Sequence, residues 1–122
     1  MINVLKGSIL DVAVDFRVGS PTFKKYVTVE LNSENNQQLC VPRGFLHGFL
    51  VLSEEALVMI KVDCYFAQGE SIGVAYDDKE LNIDWKVVDP ILSIADSLLP
   101  SLHNVTSPFT YTHNYYLEKM YV

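Results

Sequence analysis

Apolar and polar residues alternate along the first third of the chain, a pattern typical of β-strands with one buried face. From Ile9 to Arg17 every second residue is apolar, and the alternation recurs from Phe23 to Leu31. A turn containing glycine, serine and proline separates the two segments, and a polar loop rich in asparagine follows the second. The pattern predicts two half-buried strands.

The stretch from Gln37 to Phe49 forms the centre of this pattern. Two apolar segments flank Pro42 and Gly44; proline fixes φ and glycine tolerates a positive φ, so the chain is predicted to reverse tightly between two buried strands. His47 lies between aromatic residues in the second segment. A histidine in such a setting is most often a core residue with one hydrogen bond, and the alternative is an imidazole that faces a ligand.

Short strands separated by turns continue through the middle of the chain. Residues 56–66 predict a long strand buried on both faces, and residues 72–76 predict a short one. Asp89 and Pro90 then form a helix start signal, with Asp89 as the cap and Pro90 at the first helical position. Apolar residues follow at helical spacing as far as Pro100. We therefore predict a short helix near residues 91–99 that packs against the barrel formed by the predicted strands.

These segments predict an all-β fold, an antiparallel barrel or sandwich with one short C-terminal helix. We assign residues 1–100 to one domain. Residues 101–122 have no clear periodicity and form an irregular tail, with the segment from Tyr111 to Tyr116 as a candidate edge strand or dimer contact.

Composition excludes several functional classes. The 122 residues carry a net charge of −6 without a cluster of lysine and arginine, which argues against nucleic-acid binding. No apolar run is long enough to span a membrane, and the N-terminus has no signal-peptide layout, so we predict a cytoplasmic protein.

Cys40 and Cys64 are interpreted as buried, reduced thiols. Asp11, Asp63 and Asp84 are interpreted as surface or turn carboxylates.

The residues from Asn36 to His47 fit the spacing Asn-x5-Pro-x-Gly-x2-His, which resembles the second signature of cupin barrels except that Asn36 replaces the usual glycine. Four stretches, at 6–23, 31–54, 77–85 and 90–96, are similar in order and spacing to the dTDP-4-dehydrorhamnose 3,5-epimerase family. The resemblance implies a cupin-type jelly roll, a homodimer and a nucleotide-linked deoxysugar as ligand. No cofactor is implied. No metal site is expected either, because His47 has no partner at metal-ligand spacing.

The resemblance also assigns site positions. His47 corresponds to a pocket histidine that contacts the sugar, and Phe66 corresponds to an aromatic residue that stacks on thymine. Asp96 matches an aspartate that orients the catalytic base. Ile60 stands where the family has its acid, a tyrosine directly before the lysine that corresponds to Lys61. The family's base belongs to an Arg-Gly-Leu-His segment that precedes the region matched here.

Epimerisation beside a ketone needs a base and an acid on opposite faces of the sugar. The residues leave three interpretations open: a degenerate nucleotide-sugar-binding cupin, a structural or regulatory cupin without ligand, and an epimerase that is active alone or with strands from a second polypeptide. Because the acid position is Ile60, the non-catalytic interpretations are preferred.

Overall fold

The computed structural model describes residues 1–63 and 72–112 as two antiparallel sheets with short helical segments near the C-terminal end. The elements are β1 (Ile2–Lys6), β2 (Ser8–Asp15), β3 (Tyr26–Asn32), β4 (Gln38–Leu39), β5 (Phe45–Val51), β6 (Leu57–Ile60), α1 (Ile94–Ser97) and a 3-10 turn (Leu102–Asn104). The prediction of an all-β protein with one short C-terminal helix is confirmed.

Strand β2 is the middle strand of its sheet. It pairs with β3 on one side and β5 on the other, so that Asp11 lies opposite both Val29 and Phe49. The second sheet has the order β4–β1–β6. Strand β1 was not predicted, because its alternation is too short to stand out from the polar residues around it.

Both faces of β2 are buried, and the prediction that it is half-buried was therefore wrong. On one face, Ile9 and Leu31 pack against Ile2 and Val4 of the second sheet. On the other face, the side chains that share the core come from β2 and from the later part of the chain, namely Val12, Val14, Phe16, Leu81 and Leu102. Since residues 72–105 cover this second face, no face of β2 is left for solvent.

The Pro42–Gly44 turn does not form a hairpin. Strand β4 before it pairs with β1, whereas β5 after it pairs with β2, so the turn carries the chain from one sheet to the other. Gly44 has a φ of 89°, as predicted, and an added Cβ there would lie 2.5 Å from Cγ of Arg17. Asn36 has a φ of 54°, a conformation that asparagine tolerates better than most residues. The asparagine thus satisfies the same backbone requirement as glycine.

Three later predictions need correction. In the predicted strand at 56–66, the structure gives β6 only as far as Ile60, and three of its four residues are exposed; residues 64–66 lie outside the described part. Residues 72–76 form no strand but run beside the 90–100 segment, where Ala75 N–H donates to the Pro100 carbonyl. Cys40 is exposed rather than buried, and Cys64 falls outside the described residues.

Helix α1 begins later than the sequence signals indicate. Ser93, not Asp89, is its N-cap, with the hydroxyl accepting from Asp96 N–H. The apolar side chains of Ile91, Ile94 and Leu98 are largely exposed and do not pack on the barrel. In the described part of the chain, no helix is long and apolar enough to cross a membrane.

The end of β2 is held by a buried ionic cluster around Asp15. Arg17 donates to both carboxylate oxygens, at 2.9 and 3.0 Å, and the hydroxyls of Ser20 and Thr22 donate to Oδ2. The Arg17 guanidinium also lies 4.8 Å from the ring centre of Phe45. Burial alone raises the pKa of Asp15, but the hydrogen bonds outweigh it and hold that pKa well below its usual range.

We predict that Asp15→Asn lowers the free energy of unfolding by about 3 kcal/mol at neutral pH, because the neutral amide cannot replace the charged hydrogen bonds that the buried carboxylate accepts from Arg17, Ser20 and Thr22. Urea denaturation measures the loss. The matched control is Glu55→Gln, which removes an exposed partner of Lys6 and costs less than about 1 kcal/mol.

The same pair of proteins tests the pH dependence. Since the folded-state pKa of Asp15 is depressed, its contribution is complete above the unfolded value of about 4 and is lost as the pH falls further. Wild type should therefore lose more stability than Asp15→Asn between neutral pH and about pH 3. Equal losses would contradict the assignment.

Candidate functional site

A cavity of about 480 Å³ runs along strand β5 and the segments that face it. All residues from Phe45 to Leu50 line it. Neighbouring residues of a strand point to opposite faces. Consecutive residues can line one cavity here because β5 is the last strand of its sheet among the described residues, and the cavity follows that edge. Its volume falls within the usual range for small-molecule sites, about 300–1,000 Å³.

The cavity wall is mostly apolar. Side chains from β2, β5 and the later segments form it, among them Val12, Val14, Leu46, Leu81, Ile83 and Trp85. Trp85 is fixed in place because its indole N–H donates to the Tyr76 carbonyl at 2.9 Å. Gly48 lies against this ring, and a Cβ there would be 3.4 Å from the Trp85 Cη2 atom. Such a wall suits a ligand surface with few charges.

His47 is the polar group that β5 contributes. It sits opposite Ala13 on β2, on the same face as Asp11, and its Nε2 is hydrogen-bonded to Asp11 Oδ1. Asp11 is fully buried, whereas 23% of the His47 side chain is exposed. Asp11 Oδ2 has no hydrogen-bond donor among the described residues. The interpretation of Asp11 as a surface carboxylate was therefore wrong.

Asp11 was missed because alternation along β2 placed it on the polar face, and no sequence signal shows that a second sheet covers that face. Its pairing with His47 depends on the register between β2 and β5. The other two carboxylates are exposed, as predicted: Asp63 pairs with Arg43, and Asp84 accepts from Lys86 N–H.

Asp96 lines the same cavity. It belongs to α1 and is exposed. The structure thus brings together two of the positions selected from the sequence, His47 and Asp96. Ile60 lies elsewhere: it pairs with Ile2 in the second sheet, is 48% exposed and does not line the cavity. Phe66 lies outside the described residues.

Metal binding finds no support in the described residues, where no three histidine, cysteine, aspartate or glutamate side chains are grouped to hold an ion. His103 is exposed beside Ser101, and His113 is not among the described residues. Among the described residues, His47, Tyr76 and Asp96 are lining residues whose side chains carry polar groups.

The described residues of the tail run beside the segment that comes directly after β2. Val18 and Thr110 form a parallel bridge, and Tyr111 N–H donates to the Val18 carbonyl at 2.9 Å. Phe109 lines the cavity, which places this segment at one end of it. Tyr111 also contacts Arg17, whose guanidinium lies 5.0 Å from the ring centre.

Two antiparallel sheets pack face to face through Ile2, Val4, Ile9 and Leu31, which is a cupin-type arrangement. Comparison with known proteins then identifies the family: the model described as dTDP-4-dehydrorhamnose 3,5-epimerase matches residues 1–104. The chain belongs to this family.

Individual relatives show the extent of the match. The epimerase of Shigella flexneri is 44% identical over 96 residues, covering 79% of this chain and 53% of the relative. The epimerase structure from Bacillus anthracis, with TDP and pyrophosphate bound, is 48% identical with a TM-score of 0.81, covering 83% of this chain and 58% of that one. The Legionella pneumophila enzyme, in complex with dTDP-4-keto-L-rhamnose, has a TM-score of 0.85, 37% identity, and 91% and 61% coverage. The chain thus spans little more than half the length of these relatives.

We predict that His47→Ala destabilises the fold by about 3 kcal/mol, because it leaves the Asp11 carboxylate buried without a donor among the described residues. Urea unfolding measures the change. His103→Ala, at an exposed histidine, is the matched control and should stay within about 0.5 kcal/mol of wild type.

A double variant separates charge from packing. Asp11→Val combined with His47→Leu replaces both members by apolar residues and should be more stable than His47→Ala alone. A double variant as unstable as the sum of its single variants would show that the two residues do not interact.

Proposed function

We propose that this chain binds a nucleotide-linked deoxysugar in the β5 cavity and does not epimerise it unaided. The observation that carries the proposal is the composition of the cavity. The cavity is lined by His47 and Asp96 together with apolar side chains. Ile60, which stands at the position of the family's acid, is aliphatic and lies outside the cavity. The bound dTDP-sugar of the Legionella relative supports the ligand class.

The chemistry of epimerisation explains why the chain can bind the sugar without converting it. The reaction removes a proton next to the ketone and returns one to the opposite face, so it needs a base and an acid in fixed positions. Each such group typically contributes about 10²–10⁴-fold to the rate. His47 is the one histidine that lines the cavity in the described part of the chain. Without an acid at Ile60, a single imidazole does not complete the reaction.

The charges of the protein and of the diphosphate determine the expected affinity for a nucleotide sugar. The residues described along the cavity include no lysine or arginine, and the net charge of the chain is −6. A diphosphate carries negative charge and is repelled by such a protein, most strongly at low ionic strength. The sugar and the thymine ring are therefore the parts that the apolar walls hold, with the phosphates at the mouth. Binding should be weak.

A second candidate function is an epimerase completed by another polypeptide. Among the described residues β5 is the last strand of its sheet, and a strand in that position can pair with a further one, which here would enter beside His47. The same property supports a homodimer, which we propose as the assembly. A cytoplasmic location remains part of this proposal, in keeping with a role beside nucleotide-sugar enzymes.

The non-catalytic proposal predicts no deuterium incorporation at C3 or C5 of dTDP-4-keto-6-deoxyglucose when the protein, at high concentration in deuterated water, is followed by NMR. Saturation-transfer NMR in the same sample should show contact between protein and sugar. Gly48→Ala places a methyl group against Trp85 inside the cavity and should weaken that contact without unfolding the protein.

The controls distinguish the outcomes. Exchange that disappears in both His47→Ala and Tyr76→Phe would show that these two residues act as base and acid, and the non-catalytic proposal would be wrong. Exchange that appears only after addition of the N-terminal half of a relative would establish the second candidate. Loss of sugar contact in His103→Ala would contradict the assigned cavity.

The proposed homodimer predicts a sedimentation coefficient of a dimer at micromolar concentration. Exposed apolar side chains on β6, including Leu57 and Met59, add surface that a second copy can cover. A stable monomer under these conditions would contradict the proposal.

A further inference from the structure

Residues 105–112, which we call the strap, are fastened to the segment that follows β2. Val18 N–H donates to the Phe109 carbonyl at 3.0 Å, and Tyr111 N–H donates to the Val18 carbonyl at 2.9 Å. The Ser107 hydroxyl donates to the carbonyl of the first residue after β2. Hydrogen bonds therefore hold the strap on both sides of Phe109.

A side-chain contact fastens the strap a further time. The Tyr111 ring centre lies 5.0 Å from the Arg17 guanidinium, and the ring centre of Phe45 on β5 lies 4.8 Å from the same group. The guanidinium is itself fixed, because it donates to both oxygens of the buried Asp15. The ionic cluster around Asp15 thus joins the strap to the first residue of β5.

Phe109 lines the β5 cavity from the middle of the strap. Its Cβ lies 3.4 Å from the position that a Cβ on Gly44 would occupy, and Gly44 directly precedes Phe45, which also lines the cavity. The two phenylalanines therefore belong to one part of the wall. The family match ends at residue 104, so Phe109 lies beyond the part of the chain that it covers.

The polar groups next to the Phe109 ring already have partners. Phe109 N–H donates to the Ser107 hydroxyl oxygen at 3.2 Å, and its carbonyl accepts from Val18 N–H. A ligand hydroxyl placed against this ring would lose water without gaining a hydrogen bond from these groups, which costs free energy. A methyl group in the same place buries apolar surface, which is favourable.

The distance along β5 relates this part of the wall to His47. Phe45 and His47 are two residues apart in one strand, so their side chains lie on the same face, about 7 Å from each other. A hexose whose hydroxyls contact the imidazole therefore turns its far side towards Phe45 and Phe109. In a 6-deoxysugar that side can carry the methyl group of carbon 6, its one apolar substituent.

We propose that Phe109, held by the strap, is a specificity-determining residue that receives the carbon-6 methyl group of the sugar and disfavours a hydroxyl on that carbon. This inference rests on the proposed function for the binding of a nucleotide sugar. It assigns the preference for a deoxysugar to a residue outside the family match.

Two ligands that differ by one hydroxyl test the proposal, namely dTDP-6-deoxyglucose and dTDP-glucose. NMR titration of the full chain measures the dissociation constant of each. We expect wild type to bind dTDP-6-deoxyglucose about tenfold more tightly, because the extra hydroxyl is left without a partner. Equal dissociation constants would overturn this inference and leave the proposed function standing. If neither ligand bound, the proposed function and this inference would both be wrong.

Variants of Phe109 test whether this residue is the cause. Phe109→Leu and Phe109→Asn both retain the backbone groups that fasten the strap, and the Tyr111 N–H resonance reports that it stays in place. Leucine keeps an apolar surface and should keep most of the preference. Asparagine offers the hydroxyl a hydrogen-bond partner and should remove most of it. A tenfold preference that persists in Phe109→Asn would overturn the assignment.

Discussion

Burial of both faces of β2 is the constraint on which the rest of the structure depends. The strand carries two carboxylates, Asp11 and Asp15, into the interior, and an unpaired charge there would cost more than a small domain can supply. Each carboxylate therefore has its own partner: Arg17 with two hydroxyls at one end, and His47 near the middle. The second pairing joins β2 to β5, the strand whose residues from Phe45 to Leu50 line the cavity.

The two carboxylates differ in how well they are satisfied. Asp15 accepts hydrogen bonds from Arg17, Ser20 and Thr22, which fits a structural role at the strand end. Asp11 has one described donor for its two oxygens, and that donor also lines the cavity. Imperfect satisfaction of a buried polar group is more common at functional sites than in structural cores. This contrast is the reason to look for function at His47.

The sequence predicts local structure better than long-range structure here. The existence of strand β2 and the positive φ at Gly44 follow from local rules, and both agree with the structure. Alternation does not reveal what covers a strand face, which is why Asp11 was placed at the surface. Nor does it show that the Pro42 turn crosses between sheets instead of closing a hairpin. For the site, His47 and Asp96 came from family resemblance, and their common cavity required coordinates.

The central claim is that the cavity along β5, with His47 as its polar anchor, is the ligand site. Chemical-shift mapping with dTDP-4-keto-6-deoxyglucose on methyl- and histidine-labelled protein tests it most directly. The account predicts shifts at His47, Leu46 and Leu92, which line that cavity. A neighbouring cleft contains Lys79 and Lys86 and offers charge to the phosphates instead. Shifts confined to that cleft, or no shifts at all, would contradict the account.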